Sequence, residues 1–206
     1  TIQHGLNASS DGDTIIVASG TYEENLTWPP INGIKLIGSG EDDCFIDGNQ
    51  QASVIRFEED LDGIIDATTL ITGFTIQNGY AHGSWPNYYG GGIYLYYSSP
   101  TLTDVTISGN SADNHGGGVY CESISDYPFI ENTPSFENVT ISGNTASWGG
   151  GLAVGSYSRP NLTSVIISDN VAHSGGGIAT LLNNAGIDLS DVIISGNTAN
   201  LYGGGM

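Results

Sequence analysis

Basic residues are nearly missing from this chain: 3 lysines and arginines stand against 22 aspartates and glutamates in 206 residues, a net charge of −19. A surface so poor in cations has little to neutralise phosphates with, which argues against nucleic acid and anionic membranes as partners. Charge of either sign is sparse at 12%, so this is not the charge-dense composition of a disordered acidic tail. No apolar run approaches the ~20 residues of a membrane-crossing helix, and no membrane insertion is expected. Cys44 and Cys121 are the only cysteines; they pair or stay free, and two of them do not fix a compartment. An initiator methionine and a signal peptide are both missing, so a processed or excised segment is expected.

Glycine, by contrast, is abundant at 31 residues, about twice ordinary usage. Most of the excess lies in a repeat. Leu102 to Val119 reads LTDVTISGNSADNHGGGV, and three further copies run from Phe136 to Leu152, Leu162 to Ile178 and Leu189 to Met206. Each places a large apolar residue, then Val three later, Ile two later, Asn three later and Ala two later. The asparagines Asn110, Asn144, Asn170 and Asn197 are 34, 26 and 27 apart. Glycine triplets begin at Gly90, Gly116, Gly149, Gly175 and Gly203, spaced 26, 33, 26 and 28. A period of this length means a solenoid, whose units bury their apolar faces only by stacking on each other.

One domain over 1–206 is therefore expected: a cap over 1–12, irregular coils over 13–89 and regular repeats over 90–206. Residues Ile2 to Ser10 form a short amphipathic stretch that would serve as a helical cap. Thr14-Ile-Ile-Val-Ala reads as a buried strand closed by Ser19-Gly-Thr. Ile34-Lys-Leu-Ile, Cys44-Phe-Ile, Ser53 to Phe57, Gly63-Ile-Ile and Leu70 to Ile76 follow, each bounded by turn residues. Phe74-Thr-Ile-Gln-Asn78 shows the later repeat one residue short, and Gly79 to Tyr89 is a longer insertion.

The apolar-x-x-Val-x-Ile-x-x-Asn pattern also matches leucine-rich repeats. Those need a helical or extended return after the Asn, and three glycines there cost a helix about 1 kcal/mol each relative to alanine. After each triplet the chain alternates again, as in Ile93-Tyr-Leu-Tyr and Val119-Tyr-Cys-Glu. Three short strands and three turns sum to roughly 20–33 residues, which brackets the period. The sequence thus predicts an all-β fold, a single-stranded right-handed parallel β-helix with a short N-terminal capping helix.

The stretch Gly12-Asp-Thr-Ile-Ile-Val-Ala-Ser-Gly-Thr-Tyr-Glu-Glu-Asn-Leu26 resembles the first coil of the pectin-lyase-like superfamily of right-handed β-helices. The Gly-Asn-x-Ala…Gly-Gly-Gly units are similar to repeats of chlamydial polymorphic outer-membrane proteins and related bacterial surface proteins. Together the two resemblances span nearly the whole chain. They imply a fold and an extracellular or cell-surface setting, but no single activity, because the superfamily includes lyases, hydrolases, adhesins and tailspikes.

The lyases of that superfamily combine Ca²⁺-binding carboxylates with a basic residue that abstracts a proton. Here the only bases of that kind are Lys35, Arg56 and Arg159, with no match to the lyase motifs, and the net charge would repel polyuronates. The hydrolases instead use paired acids. Asp42-Asp43, Glu58-Glu59-Asp60 and Asp62 are adjacent in sequence, which reads first as solvated turn charge. Clustered acids with backbone carbonyls suit Ca²⁺, yet the Gly-Gly-x-Gly-x-Asp signature is missing. His4, His82, His115 and His173 have no second ligand at short spacing. No cofactor, metal or catalytic residue is assigned.

Two columns stand out. Asn110, Asn144, Asn170 and Asn197 are expected to form an internal, structural amide ladder. Just before the triplets, Tyr88-Tyr89, His115, Trp148, His173 and Tyr202 would stack up one edge, beside outward-facing Tyr94, Tyr96, Tyr120 and Glu122. Rings with a few acids suit stacking on sugars, and ring packing over the glycine bend is the competing reading. A third row, Thr75, Thr106, Thr140, Ile166 and Ile193 beside Gln77, Ser108, Ser142, Ser168 and Ser195, reads as ordinary strand surface. Asn7, Asn25, Asn138 and Asn161 lie in glycosylation sequons.

The resulting expectation is a non-catalytic surface β-helix, acting as stalk, filament subunit or adhesin. Its partners would be a polysaccharide, or another copy docked on an uncapped C-terminal coil. The alternative is a carbohydrate-active lyase or glycosidase. Acids converging on one face of neighbouring coils would favour the enzyme.

Overall fold

The computed structural model describes residues 1–58, 65–123, 132–181 and 184–206. Among the described residues the chain coils through three sheets whose neighbouring strands all run parallel, the arrangement of a parallel β-helix. The largest has 11 strands, including Thr14–Ile16, Lys35–Ile37, Leu70–Gln77, Thr101–Ser108 and Ser135–Ser142. The second, of 6 strands, runs from Leu26–Thr27 through Ile93–Tyr96 and Val119–Glu122 to Ile178–Thr180. The third, of 5, runs from Tyr80–Ala81 through Ser111–His115, Thr145–Trp148 and Val171–Ser174 to Thr198–Tyr202. Among the described residues the only helix is Ile2–Ala8, so the leucine-rich horseshoe is excluded.

That helix caps the first coil. Thr1 accepts a bond from the His4 amide, while Ile2 and Leu6 turn inward and are buried. The Ile2 and Gln3 amides, which no helical carbonyl can satisfy, donate to the two Glu24 carboxylate oxygens at 2.8 and 3.0 Å. The Gln3 side chain then brackets Thr27, donating to its carbonyl and accepting from its amide.

In-register stacking turns the sequence periodicity into core columns. Leu36, Ile71, Leu102, Phe136, Leu162 and Leu189 lie above one another, as do Ile46, Ile76, Ile107, Ile141, Ile167 and Ile194. Interior members such as Ile141 are wholly buried, each contributing about 1.5–3 kcal/mol of hydrophobic stabilisation. The coils before residue 90 lack the Asn and the triplet, yet Leu70–Gln77 pairs with Thr101–Ser108 in the same register as the later coils. Three short strands lie where the sequence reading has none: Gly20–Glu23, which pairs with Cys44–Asp47, Leu26–Thr27, and Tyr80–Ala81 within the stretch read as an insertion. Ser19-Gly-Thr therefore starts a strand at Gly20 rather than closing the coil. The stretch Gly63-Ile-Ile lies partly outside the described residues, as do Glu59, Asp60 and Asp62. Cys44 and Cys121 are both buried and unpaired, and burial pushes the Cys121 thiol up.

Left-handed residues recur in three columns through the regular coils, besides Tyr97, Tyr157 and Asn184. One column is Gly73, Asp104, Asn138, Ser164 and Asp191, at φ from 50 to 74°. It is the extra residue that lets Leu102 and Val105 both point inward although three apart, a bulge repeated in register. The second is Asn78, Gly109, Gly143, Asp169 and Gly196. The third is the first glycine of every triplet, at φ from 59 to 68°. Short polar residues and glycine occupy these sites because a β-branched or bulky side chain is strained there.

Candidate functional site

The polar residues of the repeat are consumed by the coil itself. Asn144 accepts on Oδ1 from the Asn110 amide at 2.9 Å and from the Asn110 side chain at 3.1 Å. Its own Nδ2 donates to the Ile107 carbonyl at 3.0 Å and to Asn170 Oδ1 at 3.0 Å. Asn170 repeats the pattern toward Asn197, and Asn110 Oδ1 ends the ladder on the Gly79 amide. Buried amides need such partners. Asn78, read as an early copy of this residue, is not in the column: Gly79 holds the ladder position and Asn78 the left-handed one before it. A Cβ on Gly79 would sit 2.0 Å from the Gly91 carbonyl, which is why the ladder starts without a side chain there.

The triplets are stacked in the same way. Gly116, Gly117 and Gly118 amides donate to carbonyls of Trp148, Gly149, Gly150 and Gly151. A Cβ on Gly117 would lie 2.5 Å from the Gly150 carbonyl, and one on Gly116 2.8 Å from Tyr120 Cβ. The left-handed glycine thus folds the residue before it over the outward side of the next strand.

That fold builds the aromatic edge. The column before the triplets is Tyr89, His115, Trp148, Ser174 and Tyr202, fixed by the pairings His115 with Trp148, Trp148 with Ser174 and Ser174 with Tyr202. His173 is displaced by one position, and Ser174 takes its place. The outward column of the six-stranded sheet is Arg56, Tyr94, Tyr120, Ala153 and Ala179.

The upper half of this edge is a packed cluster. Tyr89 stacks on His115 at 4.9 Å and 4°, and lies 4.7 Å from Tyr120. Tyr94 stacks between Tyr120 at 5.9 Å and Tyr96 at 6.0 Å, and the Arg56 guanidinium sits 4.4 Å over its ring. Such contacts add about 0.5–1.5 kcal/mol each beyond area burial. Burial pushes His115 down to about 4 and Tyr96 up to about 12, the latter helped by Tyr97 and Glu122. Burial also raises the Glu122 carboxyl, against the hydrogen bond it accepts from Tyr120. The sequence reading therefore needs correction. Tyr94 and Tyr120 are each 1% exposed, so they point away from the core without offering a ring face to a ligand.

The lower half is open. Trp148 is 41% and Tyr202 71% exposed, and between them a hollow of about 210 Å³ is lined also by Ser174, Gly175, Ile178, Ala179, Thr180 and Leu181.

Both arginines are engaged. Arg56 donates through Nε to Glu58 at 2.8 Å and also pairs with it through a second nitrogen. Arg159 makes a two-pronged pair with Asp188 at 2.8 and 2.9 Å. Acids converge at one place on the large sheet: Glu41 accepts from Thr106 at 3.2 Å, and burial, Asp104 and Asp42 together raise its carboxyl. The neighbouring side chains there are the short Thr75, Thr106 and Thr140. Among the described residues, no group of three or more His, Cys, Asp and Glu is placed to hold a metal ion. Asn25, one of the sequon residues, spends its amide on the Gly48, Ala52 and Ser53 carbonyls.

Residues 104–122 match the Chlamydia polymorphic membrane protein (Chlamydia_PMP) repeat. The matched window runs from the bulge residue Asp104 through the ladder residue Asn110 and the Gly116 triplet to Glu122. Neither the curated proteins nor the solved structures contain a match to this chain. The repeat match and the stacked parallel strands agree on a β-helix repeat.

Proposed function

We propose that this chain is a non-catalytic β-helix module of a cell or outer-membrane surface, a stalk, filament or adhesin segment. One observation carries the reading: the asparagine and glycine-triplet columns, the signature of the repeat, are spent on the coil. The Asn column bonds to backbone and to itself, and the triplets make room for neighbouring carbonyls. Repetition of these two columns builds a rod, and the outward serine and threonine row beside them carries no acid or base. The matched repeat, named for a membrane protein, supports the surface setting. The first coil's likeness to pectin-lyase-like proteins is, on this reading, shared architecture without shared chemistry. A lyase would need a free base beside clustered acids; Arg56 and Arg159 are both paired with carboxylates, and Lys35 lines a hollow with a single acid, Asp11.

The second reading, a glycoside hydrolase, is favoured by Glu41 and Asp104, an acid with a raised proton affinity beside a carboxylate. The purified protein is incubated with polygalacturonate and neutral glycans while unsaturated products and reducing ends are followed. No turnover is expected. Turnover abolished by Glu41→Gln would replace the scaffold reading with the hydrolase.

A further inference from the structure

We propose that the hollow between Trp148 and Tyr202 is a binding site for one pyranose ring of a neutral glycan. This goes beyond the scaffold reading and stands on separate observations.

The first is a change of side-chain size along one edge. Where Tyr94 and Tyr120 fill the outward column, the next two coils carry Ala153 and Ala179. Where Tyr89 and His115 cover the turn, the column goes on with Trp148, then the small Ser174, then Tyr202. The packed cluster thus gives way to a gap one coil deep, and its volume of about 210 Å³ suits a single ring rather than a drug-sized ligand.

The second is spacing. Trp148 and Tyr202 are two coils apart in the same column, and coils rise about 4.8 Å each, so their backbones stand about 10 Å apart. A ring held between two others at about 3.5–4 Å on each side needs roughly 7–8 Å. One ring fits and two do not.

The third is an orphaned hydroxyl. Ser174 lines the hollow, is 3% exposed, and its Oγ has no hydrogen-bond partner. A buried polar group left unmatched costs about 1–3 kcal/mol, which a ligand bearing hydroxyls on its rim would recover. Two ring walls, an apolar floor at Ala179, and one hydroxyl match a sugar, which has C–H faces and O–H edges.

Charge selects among sugars. Lys35, Arg56 and Arg159 are the only basic residues besides histidine, none lines the hollow, and the net charge is −19. A uronate or sulfated sugar would be repelled with no cation to hold it. Two other hollows among the described residues, one lined by Asp11, Asn32 and Lys35 and the other by Glu23, Asp47 and Tyr80, have at most one ring.

The test is calorimetric titration of the 206-residue protein with maltohexaose, cellohexaose and N-acetylchitohexaose. Hexagalacturonate and a proline- and tyrosine-rich peptide serve as comparators. At least one neutral hexasaccharide is expected to bind. Trp148→Ala should weaken it about tenfold or more, as for a central aromatic anchor. Ala179→Tyr, which restores the ring found at Tyr120, should fill the gap and remove binding while the thermal transition is kept. Trp85→Ala, on an exposed ring outside the hollow, should leave binding unchanged. The proposal is overturned if no neutral hexasaccharide binds, if hexagalacturonate or the peptide binds more tightly, or if Trp148→Ala and Ala179→Tyr leave affinity as it was. Binding with turnover would keep the site and remove the scaffold reading, so the two fail separately.

Discussion

At the scale of residues, the three glycines of a triplet are not interchangeable with the other glycines of a coil. A Cβ on Gly150 would lie 2.5 Å from the Val171 carbonyl and 2.6 Å from that of Gly176. Backbone on both sides cannot move aside. Gly143 is left-handed at φ 63° but has nothing within 4 Å of a Cβ, and equivalent coils hold Asn78 and Asp169 at its position. Gly150→Ala is therefore expected to destabilise by more than about 2 kcal/mol, and Gly143→Asn by less than about 1. Urea melts of both variants check the order; a reversed order would mean that the triplet is there for its dihedral alone. The ladder asparagines and the core columns were legible because one residue type recurs at one spacing. Asn78 misled because its letter matches the ladder while its position, one residue early, matches the turn. The buried state of Tyr94 and Tyr120 was not legible, since alternation shows which face a side chain takes and not what lies over that face.

At the scale of elements, the edge where the five-stranded sheet turns into the six-stranded one carries a pH response. Burial holds His115 at about 4, below its ordinary 6.5, so between those values the unfolded chain binds more protons than the folded one. Its contribution to stability is present above about pH 6.5 and is lost as the pH falls toward 4. Glu122 acts in the opposite sense. Its raised carboxyl holds a proton in the folded state at pH values where the unfolded chain has released it, so its contribution falls as the pH rises. Urea midpoints at pH 7 and pH 4.5 in wild type and His115→Phe separate the two. The variant should lose less stability on acidification than wild type; equal losses would show that His115 is not shielded by Tyr89 and Tyr120. The elements themselves were mostly foreseen, from the capping helix to the strands after each triplet. The bulge was not named, although Leu102 and Val105 being three apart, where a plain strand sets inward residues two apart, already encoded it. His173 was placed in the ring column by sequence, but Trp148 pairs with Ser174, the residue directly before the triplet, which leaves His173 beside the column.

At the scale of the whole molecule, the account rests on coils stacked parallel and in register, each joined to the next by the same amides and carbonyls. The rod and the open hollow beside Trp148 both follow from that stacking. The enzyme alternative now turns on Glu41 and Asp104, which the fold brings together from a turn and a strand far apart in sequence. The most direct measurement of the stacking uses the alanines of the five-stranded sheet, paired as Ala81 with Ala112, Ala112 with Ala146, Ala146 with Ala172 and Ala172 with Ala199. Neighbours in this column are one coil apart, about 4.8 Å. With only the alanine methyl groups labelled, a nuclear Overhauser spectrum should show cross-peaks linking these five methyls in that order and no direct peak between Ala81 and Ala146. Missing links along the column, or strong links between alanines that the register holds two coils apart, would contradict the β-helix and everything built on it.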